Sequence, residues 1–413
     1  MNKVGMLVMG GLLILLAAGS AFGQESGLTR EEVDALKTKI ERLEKAIEIQ
    51  NVPSLESQGE RHWYDRIDMG ITVGGVIQGS AGADDDGSDG TARYELELKY
   101  NIAPSDLLYL HLEGGNGDGI DSRVSTLSGL NGHAVGDDDF LSVTEVWYLH
   151  RFQHAIAVLQ IGKIGLGGPG DYSPDDAILF DGNKYANNER SQFLSPGFVN
   201  NLALELPDNG LGAVARISPH QRLDISLGIA DADADWNDVF NNIFSIMEVN
   251  YKPNIGERKG NYRIYGWFNG SDHEYLNDST KTREDNYGFG VSFDQEITDV
   301  FGLFARYGWQ RGSVSQIEHA WSAGFQCSGK FYGREDDTFG LAYGMAIIGD
   351  DWKAVDRTNG INSADEQHVE LYYNFKVNDH LNISPNIQWV KNPNGNRDND
   401  DVWAFGLRAQ LSF

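Results

Sequence analysis

The sequence predicts an all-β protein: a sixteen-stranded antiparallel transmembrane β-barrel, preceded by a short N-terminal coiled-coil helix. Three observations carry this. Apolar and polar residues alternate with period two from about residue 65 to the C-terminus, the connections alternate between long and short, and the chain opens with an export signal. Composition agrees. Of 413 residues, 61 are Asp or Glu and 33 are Lys or Arg, a formal charge of −28 that argues against a nucleic-acid partner. One cysteine, Cys327, excludes a disulfide framework and any cysteine-based metal cluster. Aromatic residues make up 11%, too many for a disordered acidic chain.

Residues 1–23 read as a signal peptide. Lys3 supplies the positive start, Met6 to Leu16 is nearly all apolar, and Ala21-Phe22-Gly23 ends in small residues. The apolar run is shorter than the roughly 20 residues a membrane-spanning helix needs. Residues 24–52 contain a helix. Thr29 and Glu32 form a capping box, and Val33, Leu36, Ile40, Leu43 and Ile47 fall in steps of three and four, the seam of a coiled coil. The seam is too short to be stable alone. A periplasmic stub that joins copies into a homo-oligomer is preferred over a helix packed on its own domain. Residues 53–64 form a linker.

From 65 to 413 the strands are expected near 67–78, 91–102, 107–116, 140–152, 155–164, 210–218, 223–231, 243–252, 261–270, 286–295, 300–310, 319–329, 336–347, 366–376, 381–391 and 401–413. Tyr94, Leu96, Leu98 and Tyr100 alternate with Arg93, Glu95, Glu97 and Lys99, and the last strand repeats the pattern up to Phe413. Periodicity alone fits a soluble sandwich as well. Long connections such as 117–139, 165–209 and 348–365, set between tight turns such as Ala103-Pro104-Ser105-Asp106, decide for an outer-membrane barrel. The fourth strand alternates unevenly between Val143 and Phe152, and Leu202–Leu206 is read as the end of the long loop.

A barrel of this size leaves an aqueous lumen, so inward residues are the functional candidates. They are Arg93, Glu95, Glu97, Lys99, His111, Glu113, Lys163, Arg216, Arg263, Tyr265, Trp267, Arg306, Glu370 and Arg408. Acids and bases nearly balance, where an anion pore needs an excess of Lys and Arg. Aromatic rings on the same face, Tyr109 and Tyr372 included, suit a neutral polyhydroxylated solute that stacks its C–H faces on them. Loop 165–209 is expected to narrow the lumen with Tyr185, Asn187, Asn188, Glu189, Arg190 and Gln192.

The acid gathers in the long loops, as Asp84-Asp85-Asp86, Asp137-Asp138-Asp139, Asp231/Asp233/Asp235 and Asp350-Asp351. Asp231-x-Asp233-x-Asp235 resembles the first half of a calcium loop, but Trp236 stands at the glycine position and Asn242 at the final glutamate. A solvated surface facing lipopolysaccharide is the favoured reading, with no metal and no cofactor. No HExxH, GxSxG or phosphate-loop motif is present, and a lipase-type enzyme would need an outward Ser–His pair, for which the outward positions are expected to offer no His.

Several of these segments resemble the carbohydrate-selective, OprB-like porins. They are Gly162-Lys163, Phe193-Leu194, Phe198-Val199-Asn200-Asn201 and Leu211-Gly212. Near the C-terminus they are Glu370 to Tyr373, Pro385-Asn386-Ile387-Gln388, Asn392-Pro393 and Gly406-Leu407-Arg408. The resemblance covers about 65–413. It implies a sixteen-stranded barrel in the bacterial outer membrane that takes up sugars passively through a lumen narrowed by inward loops. The resemblance extends to relatives adapted to inorganic ions, so a weakly cation-preferring general diffusion or inorganic-ion porin is the alternative.

Overall fold

A computed structural model of the chain describes residues 63–413, apart from 84–85, 136–140, 153–155, 168–176, 238, 240 and 284. The expected signal peptide, coiled-coil helix and nearly all of the linker lie outside the described residues.

Sixteen strands form the barrel. They are β1 Ile67–Ala81, β2 Ser88–Ala103, β3 Asp106–Asn116, β4 Ser142–Arg151, β5 Ala157–Ile164, β6 Gly210–His220, β7 Leu223–Asp231 and β8 Ile243–Tyr251. Then come β9 Arg258–Asn269, β10 Asn286–Glu296, β11 Phe301–Gln310, β12 Ile317–Gly329, β13 Arg334–Ile348, β14 Glu366–Lys376, β15 Leu381–Lys391 and β16 Val402–Ser412. Each pairs antiparallel with its chain neighbour, and β1 closes on β16 from Thr72↔Ser412 to Ala81↔Trp403. A two-residue strand, Asn254–Ile255, pairs only at the start of β9, and a small hairpin of His273–Tyr275 with Asp278–Arg283 stands on loop 270–285.

All sixteen expected strands are present, with ends shifted by a few residues. Leu202–Leu206 is not a strand. The uneven pattern of β4 has a physical cause. The β3–β4 register skips Thr144, so Val143 and Val146 both face outward on either side of a bulge.

Ile77, Leu227, Ile229, Ile264, Phe405 and Leu407 are exposed on the outer face, the apolar band a lipid-embedded barrel requires. The inner face departs from expectation. Leu107, Tyr109, Trp147, Leu149, Val158, Val214, Phe244 and Ile246 point inward from β3 to β8, and they are buried against Leu166, Ile178 and Phe180 of loop 165–209. A second cluster joins Tyr185, Phe193 and Phe198 of that loop to Phe304 and Tyr372. A third joins Ile120, Val124 and Leu130 of loop 117–141 to Val390, Val402 and Ala404. The barrel therefore encloses a packed core on part of its circumference and is not wetted around the whole inner wall.

Phe180 is 2% exposed. Phe180→Ala is expected to weaken loop docking by about 3–5 kcal/mol. Limited proteolysis should then cut within 165–209, while the heat-modifiable barrel band persists in gel electrophoresis.

Candidate pore constriction

The constriction starts from strand geometry. Residues two apart on β2 share a face, so Arg93, Glu95, Glu97 and Lys99 form one inward row. On β3, Glu113 lies opposite Glu95 and His111 opposite Glu97. Arg93 is the hub. Its guanidinium lies 3.0 Å from Glu95, 2.7 Å from Glu113 and 3.2 Å from Glu189 of the long loop. Arg190 of the loop pairs with Glu95 in turn. Lys99 lies 3.5 Å from Glu97, nearer the short turns.

From the other side of the barrel, Arg408 on β16 donates to the Glu189 carbonyl, and to the Gln192 carbonyl at 3.0 Å. Glu370 on β14 accepts from the Leu194 and Ser195 N–H groups at 2.5 and 2.9 Å. Arg306 on β11 donates to the carbonyls of Ala186, Phe198 and Asp181, and to Asn187 Oδ1. Loop 165–209 thus hangs inside the lumen from side chains on β2, β11, β14 and β16. Its own polar residues shape it. Asn188 Oδ1 accepts from the Arg190 N–H at 2.8 Å, and Gln192 Oε1 accepts from the Asn187 N–H at 2.8 Å. Gly302 admits the Tyr185 ring, because a Cβ there would stand 2.0 Å from Tyr185 Cζ.

Loop 117–141 also enters the lumen, which sequence reasoning did not anticipate. Its Gly132 N–H donates to Leu194, and its Ser128 carbonyl accepts from Gly197, so the two loops are hydrogen-bonded together. Glu366 on β14 holds it by accepting from the Leu127 and Ser128 N–H groups at 2.7 and 2.8 Å. His368 bonds Ser128 Oγ at 2.8 Å and Gln388 at 3.0 Å. The signal was Glu366-x-His368-x-Glu370, three chemically rich residues on one inward face. His133 sits over Gly74, where a Cβ would come within 2.4 Å of its Nε2. Burial, with Arg93, Arg408 and Arg190 nearby, holds this imidazole down at about 3. Burial pushes the Asp181 carboxyl up, while Arg306 beside it pulls the other way.

The other expected residues divide. Arg263 faces inward and pairs with Asp294 at 2.7 Å, and Arg216 shares the inward parity of Val158 and Ser226, its register partners. Tyr265 and Trp267 also face inward, but with Tyr109 and Tyr372 they are at most 4% exposed beneath the loop. These rings are structural and offer no open stacking surface, which corrects the expectation of an aromatic path. Lys163 does not join the lumen. It has the parity of outward Ile161, and its Nζ donates to the Val143 carbonyl at 2.7 Å. The register is regular on both sides of Gly162, so the strand's own alternation puts Lys163 on the outer face. His150 and His319 face outward, which corrects the expectation of no outward histidine, but they bond Asp106 and Tyr307 and not a serine.

The description "Carbohydrate-selective porin, OprB family" matches residues 90–413. The chain belongs to this family. Porin B of Pseudomonas aeruginosa is 25% identical over 202 residues, 40% of this chain and 44% of that protein. Porin AaxA of Chlamydia pneumoniae is 21% identical over 315 residues, 73% of this chain and 65% of that one. The matches thus span less than two thirds of these relatives' lengths. The high-pH structure of Pseudomonas putida OprB superposes with a TM-score of 0.70 at 17% identity, covering 84% of this chain and 94% of that one. That likeness is one of fold. Family and barrel together place the chain in the bacterial outer membrane.

His133 generates a pH prediction. Its folded value lies below the ordinary 6.5, so the undocked loop binds the proton more readily and docking weakens as pH falls from 6.5 toward 3. Open-channel current noise should rise across that window. In His133→Gln the rise should be smaller.

Proposed function

We propose that this chain is a passive diffusion channel for small, uncharged, hydroxyl-rich solutes, carbohydrates among them. The observation that carries the reading is the balance of charge at the constriction. Arg93, Arg190 and Arg408 stand with Glu95, Glu113 and Glu189 in one network. Such a network gives the constriction no net charge, and the half-buried Glu97, Lys99, Asn187 and Gln192 beside it supply donors and acceptors. It suits a solute that exchanges water for hydrogen bonds and carries no charge of its own. An anion pore would need an excess of cations here. Membership of a family described as carbohydrate-selective supports the same solute class.

The acid on the loop side favours a second reading, a general pore with weak cation preference. Asp86, Asp89, Asp398, Asp400 and Asp401 lie there in or beside loops 82–87 and 392–401.

Planar-bilayer recording of the refolded full chain separates the two. The expected result is an ohmic conductance that falls as glucose is titrated, with a reversal potential near zero in a KCl gradient. Strong cation selectivity without block by glucose would overturn the carbohydrate reading. Arg93→Gln leaves Glu95, Glu113 and Glu189 under-compensated. It should move the reversal potential toward cation preference and weaken loop docking by about 3–5 kcal/mol.

A further inference from the structure

β7 ends at Asp231, and the chain leaves it as Asp231-Ala232-Asp233-Ala234-Asp235-Trp236. As an acid run alone, this would be a solvated surface. Asp231 is not solvated. It is 2% exposed, and neither of its carboxylate oxygens has a hydrogen-bond partner of ordinary geometry. The Trp236 N–H and the Asp233 carboxyl both reach toward it, and Asp233 and Asp235 add like charge. One carboxylate oxygen from each of the three acids lies within 4.8 Å of the others. On its outward side Asp231 borders a groove lined by Ile161, Leu211, Ile229, Val239 and Ile243, which supplies no polar partner. A buried carboxylate without a counter-charge is strongly unfavourable.

A second group points the same way. The amide orientation of Asn242 that satisfies its nitrogen donates to the Gly270 and Asn241 carbonyls at 3.1 and 3.2 Å. In the other orientation the amide nitrogen donates to Asp233 Oδ2 at 3.3 Å, so in the first the amide oxygen faces that carboxylate. Two acceptors then face one another with no proton between them. Asn242 stands twelfth from Asp231, the place of the last ligand in a calcium loop. Trp236, at the sixth place, takes φ 64°, the left-handed turn that glycine provides there in such loops.

We propose that Asp231, Asp233 and Asp235, with the side-chain oxygen of Asn242, bind a divalent cation, calcium by preference, at the loop-side rim of the barrel. Oxygen-only donors of high negative charge select hard cations. Calcium tolerates an irregular shell of six to eight oxygens, whereas magnesium holds its waters and demands near-octahedral geometry. The exposed side of the loop leaves room for water to complete the shell. The cation would neutralise Asp231 and tie the end of β7 to the start of β8, just above the lipid-facing band. This site is separate from the constriction and does not depend on the solute that passes.

The test uses the refolded full chain in detergent after treatment with a chelator. Trp236 is half exposed beside Asp235, so it serves as an antenna for bound terbium. The expected result is saturable terbium emission, displaced by calcium in the roughly 10⁻⁴–10⁻³ M range of extracellular calcium modules. Asp231→Asn with Asp233→Asn should weaken binding at least tenfold. Asp350→Asn with Asp351→Asn, in another acidic loop, should leave it unchanged. Trp236→Phe should dim the emission and keep the heat of calcium binding by calorimetry. If the double variant does not refold, Asp235→Asn on the exposed side supplies the same readout. Emission equal in wild type and the Asp231/Asp233 variant would overturn the proposal. So would emission that follows the Asp350/Asp351 variant, or the lack of any saturable signal.

Discussion

The apolar inner wall between β3 and β8 must be kept from water, and the rest of the interior depends on how this is done. Eight large or branched side chains from Leu107 to Ile246 point inward there. Burying each is worth roughly 1.5–3 kcal/mol. Loop 165–209 covers them with Leu166, Ile178 and Phe180, and that docking fixes its backbone inside the barrel. Only a loop held in this way can carry Glu189 and Arg190 across to β2 with enough order to stay paired. Charges removed from water are tolerable when matched, and strongly destabilising when one partner is missing. The constriction is therefore a consequence of the apolar patch, although the two share few residues.

The second loop is bound to the same arrangement. Glu366 and Glu370 lie four apart on β14, hence on one face, and each carboxylate gathers N–H groups from a different loop. Ser128 and Ser195 meet between them near His368. Each loop also supplies the other with a backbone acceptor. Loosening either loop would leave polar groups of its partner unsatisfied, so the two should respond together to acid or to truncation of the wall.

Much of this was legible in the sequence. Period-two alternation gave the strands, and the alternation of long and short connections gave the barrel. The inward row of β2 and the polar residues of the long loop follow from parity alone. What parity cannot say is whether an inward face meets water or protein. The clue lay in β4, where Trp147 and Leu149 face inward while Val146 and Tyr148 face outward. A barrel strand that is apolar on both faces needs a cover on the inside, and its blurred alternation was that signal. Lys163 was misplaced for another reason. Parity counted from Val158 and Gln160 runs unbroken through the strand and puts Lys163 outward with Ile161, so the inward reading followed the lysine's charge and not its position. Loop 117–141 carries no such mark: Ile120, Val124 and Leu130, which bury it against β15 and β16, follow no strand or helix period, and its bonds to Glu366 come from backbone N–H groups that any sequence possesses.

The burial of the rings also constrains how a solute is selected. Tyr109, Trp147, Tyr265, Trp267 and Tyr372 are packed beneath the loop, so stacking on them cannot guide a sugar through. Selection must then come from the polar groups that stay half-buried, Glu97 and Lys99 of β2 and Asn187 and Gln192 of the loop, beside the Arg–Glu network, which is buried like the rings but charge-balanced. A charged solute would have to compete for Arg93 or a glutamate already paired, and breaking one buried pair costs about 3–5 kcal/mol. A hydroxyl-bearing solute only exchanges water for hydrogen bonds of about 1 kcal/mol net each. Contacts of that size are enough to admit a solute and weak enough to release it, which is what passive diffusion requires. The same network that makes the constriction rigid thus keeps it permissive toward neutral polar molecules.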